Sequence, residues 1–380
     1  MKSYKFKLKP SKRIENEFLE WLDVCRELYN SALQERRDAW KLNKISVNYY
    51  SQAAQLPEIK LVREDVAGVS AQVLQSTLRR LSKTFDDFFR RVKNGKKAEF
   101  PRFKGKSFFD SFTFPQMKGA FNLTGNNLRL SKIGKVKVRL HRQIIGKIKT
   151  CTSKREVKDW FVIFAVEDEK QPLPKTGKQI GADAGIENFL TLSNGSTIAN
   201  FKFYESSQKK LRIVQRSIAR RKKASNRQRK AVLHLRRIHQ KIKNQRNNFG
   251  HRVSAWLVRN FDFIVIEDLN LIGMTKGFLA KQIYDVAWNS FLQKLTYKAE
   301  NAGRQLVKIN PNGTSQTCVC GETVKKDLSV RQHQCKVCGS SVHRDINSAQ
   351  VILKLGLGNS LKDRTYHPSE SVSLETVCFN

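Results

Sequence analysis

The sequence predicts a multidomain α/β protein: a β-rich domain interrupted by a helical segment, then a second α/β domain carrying a cysteine-rich insert. Three observations lead there. Apolar residues recur with the period of two of a half-buried strand in some stretches and with the 3.6-residue period of a helix in others. The two patterns alternate along 380 residues, a length that accommodates two or three domains, each with its own core. A hydrophobic fraction of 39% belongs to a folded chain rather than a disordered one.

Tyr4, Phe6 and Leu8 alternate with Lys5, Lys7 and Lys9, which predicts a half-buried strand with one lysine face. Pro10 ends it and Ser11 is a helix N-cap. Ile14, Phe18, Leu22, Cys25, Leu28, Tyr29, Ala32 and Leu33 then follow at helical spacing, and a second helix carries Leu74, Leu78, Leu81, Phe85, Phe88 and Val92 until Lys93-Asn94-Gly95-Lys96-Lys97 breaks it. From about residue 100 short strands take over: Leu128, Leu130, Val136, Val138 and Leu140 alternate with polar residues around the turn Thr124-Gly125-Asn126-Asn127, and 160–166 is a further strand. Gln171-Pro172-Leu173-Pro174-Lys175 reads as a linker. Beyond it, 180–184, 189–193 and the stretch around Thr197 form a meander with a tight turn at Asn194-Gly195. A long basic helical stretch comes next, and 263–266 is another buried strand. The polar tail, 358–380, has no period and reads as disordered.

Lys plus Arg number 72 and Asp plus Glu 33, a net charge of +39. A compact fold is destabilised by that much self-repulsion, and a polyanionic partner relieves it. The cations run through nearly the whole chain rather than along one amphipathic helix, which favours nucleic acid over a membrane surface. Between Lys209 and Arg246 stand 16 Lys or Arg and no acid, while Leu235, Ile238 and Ile242 keep an apolar stripe. The stretch is therefore a structured, phosphate-contacting surface. Its candidate contacts are Lys209, Lys210, Arg212, Arg216, Arg220, Arg221, Lys222, Lys223, Arg227, Arg229, Lys230, Arg236 and Arg237. Upstream, Phe100, Phe103, Phe108, Phe109, Phe112 and Phe114 interleave with Arg102, Lys104 and Lys106, a pattern that serves base stacking or core packing equally. No apolar run is long enough for a membrane helix, and 1–12 is basic without an apolar centre, so no signal peptide is read. The expected location is intracellular: cytoplasmic and nucleoid-associated.

Acids are scarce, so three that end or follow apolar strands stand out. Asp183 lies in Ile180-Gly181-Ala182-Asp183-Ala184-Gly185, Glu267 ends Phe263-Ile264-Val265-Ile266, and Asp345 sits in His343-Arg344-Asp345-Ile346-Asn347 at a helix start. Taken singly they serve as a turn residue, half of an ion pair and a helix cap. Together, carboxylates from two strands and a helix can converge at one end of a sheet and hold two Mg²⁺ ions for phosphodiester hydrolysis. Cys318-Val319-Cys320-Gly321 and Cys335-Lys336-Val337-Cys338-Gly339 form two knuckle-like pairs, 14 residues apart. Four thiolates suit a closed, structural Zn²⁺ site. The first pair has one intervening residue, not two, and His333 or His343 is an alternative fourth ligand.

These motifs are similar to those of the TnpB family, transposon-encoded RNA-guided nucleases related to the type V CRISPR effectors. The resemblance rests on 181–186 and on Val265-Ile266-Glu267-Asp268-Leu269. It extends to Thr314-Ser315-Gln316-Thr317-Cys318, Arg344-Asp345-Ile346-Asn347-Ser348-Ala349 and, upstream, Phe100-Pro101-Arg102-Phe103-Lys104. It implies a wedge β-barrel (1–10 and 100–172) with an inserted helical recognition lobe (11–99). It also implies an RNase H-like (RuvC) nuclease domain (178–314 and 343–357) with a zinc-binding insert (315–342). The implied activity is RNA-guided, Mg²⁺-dependent cleavage of double-stranded DNA next to a short motif, with a guide RNA from the transposon end and Asp183, Glu267 and Asp345 as catalytic carboxylates. Ser315, Gln316 and Arg331 match family positions near the site. His343 stands where family members carry an Asp. Two alternatives remain: a nuclease-inactive RNA-guided DNA-binding repressor, distinguished by binding without cleavage, and a guide-independent, structure-selective RuvC-type nuclease, distinguished by activity without RNA.

Overall fold

The computed structural model describes residues 1–358 apart from 168, 171, 275, 278, 279, 326, 328 and 329, together with 376–377. It divides into two compact units, Met1–Glu169 and Lys170–Asn380. Among the described residues no helix is long and apolar enough to cross a membrane.

The first unit begins with β1 (Lys2–Lys9) and the helix α1 (Lys12–Asn43), capped by the Ser11 side chain, which accepts the Ile14 N–H. Three short helices that periodicity does not reveal follow, α2 (Tyr49–Ala54), α3 (Leu56–Val62) and α4 (Glu64–Gly68), and then α5 (Ala71–Lys93). The remaining strands are β2 (Ser111–Phe114), β3 (Phe121–Thr124), β4 (Asn127–Leu130), β5 (Gly134–Arg139), β6 (Lys147–Glu156) and β7 (Asp159–Glu167). They form one sheet in the order β2-β6-β7-β1-β5-β4-β3. The helices do not build a separate core. Phe18 of α1 meets Trp160 and Phe112 edge-on at 4.8 and 5.4 Å, and the apolar faces of α1, α5 and the sheet form one cluster.

The expected closed barrel is not found among the described residues. The sheet does curl, because the rings of Phe114 and Phe121, on its two edge strands, lie 6.4 Å apart. No ladder joins β2 to β3, however. Each is four residues long, and β2 runs into Pro115, which has no N–H to donate. Side-chain packing therefore brings the edges together where backbone pairing does not.

The second unit holds β8 (Gln179–Asp183), β9 (Asn188–Leu192), β10 (Thr197–Ala199), α6 (Phe203–Ala219), α7 (Asn226–Asn260), β11 (Phe263–Glu267), α8 (Leu271–Met274), α9 (Ala280–Val286), α10 (Trp288–Ala302), β12 (Gln305–Ile309), β13 (Gln332–Gln334), β14 (Ser341–His343), α11 (Arg344–Gly356) and β15 (Thr376–Val377). The main sheet has the order β12-β11-β8-β9-β10-β15. β8, β9 and β10 are successively antiparallel, while β11 runs parallel to both β8 and β12. Most of the predicted tail lies outside the described residues; Thr376 and Val377 pair in parallel with β10.

Three layers result. One face of the sheet buries Ile180, Ala182, Leu190, Ile264 and Ile266 against α7 and α10, where Phe189 meets Phe249 and Phe291 edge-on at 4.8 and 4.9 Å. The other face carries α11. A Cβ on Gly181 would overlap the Ala349 carbonyl and lie 2.8 Å from Leu353 Cβ, and one on Gly356 would overlap the Val265 side chain. Gly181 and Val265 are neighbours across the β8–β11 ladder, so α11 rests directly on strand backbone at the centre of the sheet.

This close approach is testable. Gly181→Ala should cost about 1–3 kcal/mol, the usual penalty of overpacking. Gly68→Ala, where a Cβ meets nothing within 4 Å, should change stability by less than about 0.5 kcal/mol. Denaturant midpoints compare the two, and equal midpoints would contradict the packing described.

Candidate active site and metal centres

β8 and β11 point the same way, so their last residues, Asp183 and Glu267, stand at one edge of the sheet. α11 crosses in front of them with Asp345 in its first turn. The three acids that sequence singled out are thereby brought together. Burial is the first reason that the Asp183 carboxyl is pushed up to about 8, and the charges of Glu267 and Asp345 push it further; Arg344 and the Ala184 N–H act in the opposite direction. Glu267 is only 8% exposed. Burial raises its carboxyl too, and a hydrogen bond from Thr314 opposes the rise. Thr314 Oγ1 donates to Glu267 Oε1 at 2.6 Å. Arg344 Nε lies 3.3 Å from Asp345 Oδ1. Among the described residues Glu267 is not half of an ion pair, and Asp345, although in a first helical turn, is not the cap: the His343 Nδ1 accepts the Asp345 N–H at 3.3 Å.

Three carboxylates gathered with one arginine are mutually repulsive, and a divalent cation removes that repulsion. An all-oxygen donor set suits a hard ion such as Mg²⁺. The chemistry of the three carboxylates is of that kind, although among the described residues only the four cysteines have donor atoms already close enough together to hold an ion.

The cysteines form a second centre. The Sγ atoms of Cys318, Cys320, Cys335 and Cys338 lie within 4.8 Å of one another. Cys318 to Cys338 is 3.5 Å and Cys320 to Cys335 is 3.6 Å. A disulfide needs about 2.05 Å, whereas four thiolates about 2.3 Å from one Zn²⁺ stand about 3.8 Å apart. The donor set fits zinc. The one-residue gap in the first pair is accommodated by a tight turn, in which the Cys318 N–H reaches Glu322 O and the Gly321 N–H reaches Cys318 O, both at 2.8 Å. Burial pushes the Cys318 and Cys320 thiols up. It pushes at Cys335 as well, but backbone N–H groups of Cys338 and Val337 and the neighbouring thiols outweigh it and bring Cys335 down to about 7. Neither histidine takes a cysteine's place: among the described residues the cluster contains cysteines alone, and His343 is engaged at the helix cap.

The basic stretch forms α6 and α7, packed together through Leu211, Val214, Ile238 and Ile242. All thirteen predicted contact residues are exposed. They lie on α6 (Lys209, Lys210, Arg212, Arg216), in the connection (Arg220, Arg221, Lys222, Lys223) and on the first half of α7 (Arg227, Arg229, Lys230, Arg236, Arg237). At the other end, Asp285 of α9 accepts the N–H groups of Tyr204 and Glu205 and a 2.6 Å contact from Arg246 Nη2. That acid anchors the root of the pair and leaves the cations at the tip facing solvent. In the first unit the phenylalanines divide. Phe109, Phe112 and Phe114 are core, the packing alternative of the two the pattern allowed, whereas Phe100, Phe103 and Phe108 are 45%, 46% and 74% exposed. Sequence reasoning missed the role of Thr314, although its motif was visible, because nothing in a sequence says which carboxylate a hydroxyl faces. Arg331 pairs with Glu187 at 3.1 Å.

Comparisons with known proteins agree on one family. Residues 162–277 match a family model described as "Probable transposase" (OrfB of IS605), 288–352 match the Cas12f1-like TNB domain, and 1–44 match a helix-turn-helix domain. Here 1–44 forms a strand and one long helix. The chain is 31% identical, over 94% of its length and 92% of the relative's, to an Escherichia coli protein provisionally named RNA-guided DNA endonuclease InsQ. It is 32% identical, over 94% and 90%, to a protein of Streptomyces pristinaespiralis provisionally named RNA-guided DNA endonuclease. It is 29% identical, over 51% and 49%, to the CRISPR-associated endodeoxyribonuclease Cas12f1 of Sulfoacidibacillus thermotolerans. Among solved structures, the mini-RNA-guided endonuclease CRISPR-Cas_phi3 shares the fold with a TM-score of 0.50 at 11% identity, covering 93% of this chain and 92% of that one.

If the thiol cluster is a structural zinc site, Cys335→Ser lowers both bound zinc and the thermal midpoint, as does chelation of the unaltered protein. Metal analysis beside a melting curve measures both, and an unchanged curve with no zinc bound would remove the site.

Proposed function

This chain belongs to the TnpB family, and on that premise we propose that it is an RNA-guided, Mg²⁺-dependent DNA endonuclease encoded by a transposon. It cleaves DNA complementary to a bound guide RNA next to a short motif. The observation that carries the reading is the convergence of Asp183, Glu267 and Asp345 from two parallel strands and a helix. The strand order of the second unit, with three antiparallel strands followed by two parallel ones, supports an RNase H-like (RuvC) catalytic domain. The relatives named as RNA-guided DNA endonucleases, matched over more than nine-tenths of the chain, support the guided activity.

In this reading Asp183, Glu267 and Asp345 hold two Mg²⁺ ions, which when bound activate a water and neutralise the leaving oxygen of the phosphodiester. The chain's own groups do the rest. The buried carboxylates keep their positions because β8, β11 and α11 are packed elements rather than loops, so little reorganisation is needed during the reaction. Thr314 holds one oxygen of Glu267. The cysteine insert takes structural zinc. The exposed cations of α6 and α7 contact RNA phosphates, and base pairing between guide and DNA supplies sequence recognition while the protein reads backbone shape and a short adjacent motif.

The test is to co-express the protein with its native downstream locus, purify it, sequence the associated RNA and assay cleavage of matching DNA. We expect one defined RNA, Mg²⁺-dependent cleavage, and a loss of at least a thousandfold in Asp183→Ala, the order of magnitude expected for removing a group central to transition-state stabilisation. A defined RNA with binding but no cleavage by the unaltered protein would instead identify a repressor. Replacing Arg220, Arg221, Lys222 and Lys223 with Ala should weaken RNA binding and flatten its log–log salt dependence by up to about three units, at roughly 0.7 per lost single-strand phosphate contact. An unaltered slope would exclude these residues from the interface.

A further inference from the structure

The segment between β12 and the first cysteine pair touches more than the insert it leads into. Residues 313–317 close a single turn, with the Gln316 N–H on Gly313 O and Thr317 Oγ1 on Gly313 O. Thr314 is 2% exposed. Its Oγ1 lies 2.6 Å from Glu267 Oε1 and 3.0 Å from Pro311 O. A hydroxyl has one proton, and the shorter contact, to a carboxylate, is the stronger one. Three residues on, the Thr317 carbonyl accepts Asn347 Nδ2 at 2.7 Å. Asn347 belongs to the same helical turn as Asp345 and is fully buried, and its Oδ1 has no partner among the described residues. An orphaned buried carbonyl oxygen is costly, so on stability grounds alone an apolar residue is better there. A third contact runs the same way: the Nζ of the fully buried Lys354 donates to Val319 O, inside the first cysteine pair, at 3.1 Å.

The turn that opens the cysteine insert thus holds the Glu267 carboxylate directly, through Thr314, and holds the helical turn that carries Asp345, through Asn347. We propose that Thr314 and Asn347 are positioning residues that couple the four-cysteine insert to the carboxylate centre, so that order in the insert sets the affinity of the centre for its divalent metal. Thr314 commits one oxygen of Glu267 and leaves the other to the metal. Asn347 fixes the first turn of α11, and with it the direction of Asp345. The cysteine cluster holds the far end of the same turn, since Cys318 directly follows Thr317. The insert is then a splint for the catalytic carboxylates as well as a module of its own. This inference rests on the carboxylates being a metal centre, as proposed above.

Mn²⁺ titrated into the full-length, zinc-replete protein and followed by electron paramagnetic resonance tests it without nucleic acid or turnover, with Asp183→Ala as the background. Thr314→Val, which keeps shape and loses the hydroxyl, should weaken Mn²⁺ binding about tenfold, the usual cost of removing a residue that orients a metal ligand. Thr314→Ser should restore binding to within about twofold of the unaltered protein, on the same scale. Asn347→Leu should weaken binding while leaving the melting temperature equal or higher, an outcome that a purely structural role does not give. In a protein stripped of zinc but still folded by circular dichroism, Mn²⁺ affinity should fall and Thr314→Val should add little further loss. Equal Mn²⁺ affinity in Thr314→Val and the unaltered protein, or equal impairment of the Val and Ser variants, would overturn the coupling while leaving the metal centre standing. Absence of Mn²⁺ binding above the Asp183→Ala background in the unaltered protein would overturn both.

Discussion

Helix α11 lies against strand backbone, and the second unit depends on that contact. Gly181 on β8 lets the helix backbone at Ala349 and Leu353 approach the strand, and Gly356 at the end of the helix makes room for the Val265 side chain. With side chains there the helix would ride higher, and Asp345 would be lifted away from the edge where Asp183 and Glu267 end. The same contact frees the opposite sheet face to pack against α7 and α10. The hydrophobic effect acts on both faces, since Val265, Ala349, Val351 and Ile352 are fully buried too, but on the α11 side the glycines permit a closer approach. Dispersion at such short range is individually small and collectively large, and it adds to the hydrogen bond that Gln350 of α11 donates to Ser193 O at the end of β9.

Electrostatics divides the unit in two. At the carboxylate edge, burial and like charge keep Asp183 protonated far above the usual range of an aspartate. A site that is unfavourable as a trianion becomes favourable once cations occupy it, so its strain is linked to its chemistry. Along α6, its connection and the first half of α7 the imbalance is reversed, with thirteen exposed cations and, among the described residues, no carboxylate paired to them. Asp285 sits at the root instead, where it caps α6 and holds Arg246 of α7. One acid therefore fixes the direction of the helical pair and leaves its far end uncompensated.

The first unit shows where local pattern loses its authority. Alternation exposed β1, β4, β5 and β7, because each has one wet and one dry face. It did not expose β6, whose residues Lys147–Glu156 are largely half-buried on both sides. Nor did it find α2, α3 and α4, which are too short for a 3.6-residue period to repeat. Phe109, Phe112 and Phe114 are core while Phe100, Phe103 and Phe108 are exposed, although all six look alike in sequence. What separates them is how completely they are enclosed: Phe100 meets Phe85 and Phe88 of α5 edge-on yet stays 45% exposed, whereas Phe112 and Phe114 lie on β2 inside the core. Barrel closure failed for a similarly non-local reason. The rings of β2 and β3 meet, but two four-residue strands, one of them running into Pro115, do not form a ladder.

The sequence by itself determined the charge, the alternation of strand and helix, the three strand- and helix-end carboxylates and the four cysteines, because each depends on residue type and spacing along one element. Only the tertiary structure decided what these residues face. It brought carboxylates separated by 84 and by 78 positions to one sheet edge. It chose cysteine over histidine within the thiol cluster. It also turned Thr314 and Asn347 from motif letters into the contacts between that cluster's turn and the acids. Spacing along a chain specifies local geometry over a few residues; proximity between distant elements follows from which faces pack, and here that was set by two missing side chains on the surface where α11 comes to rest.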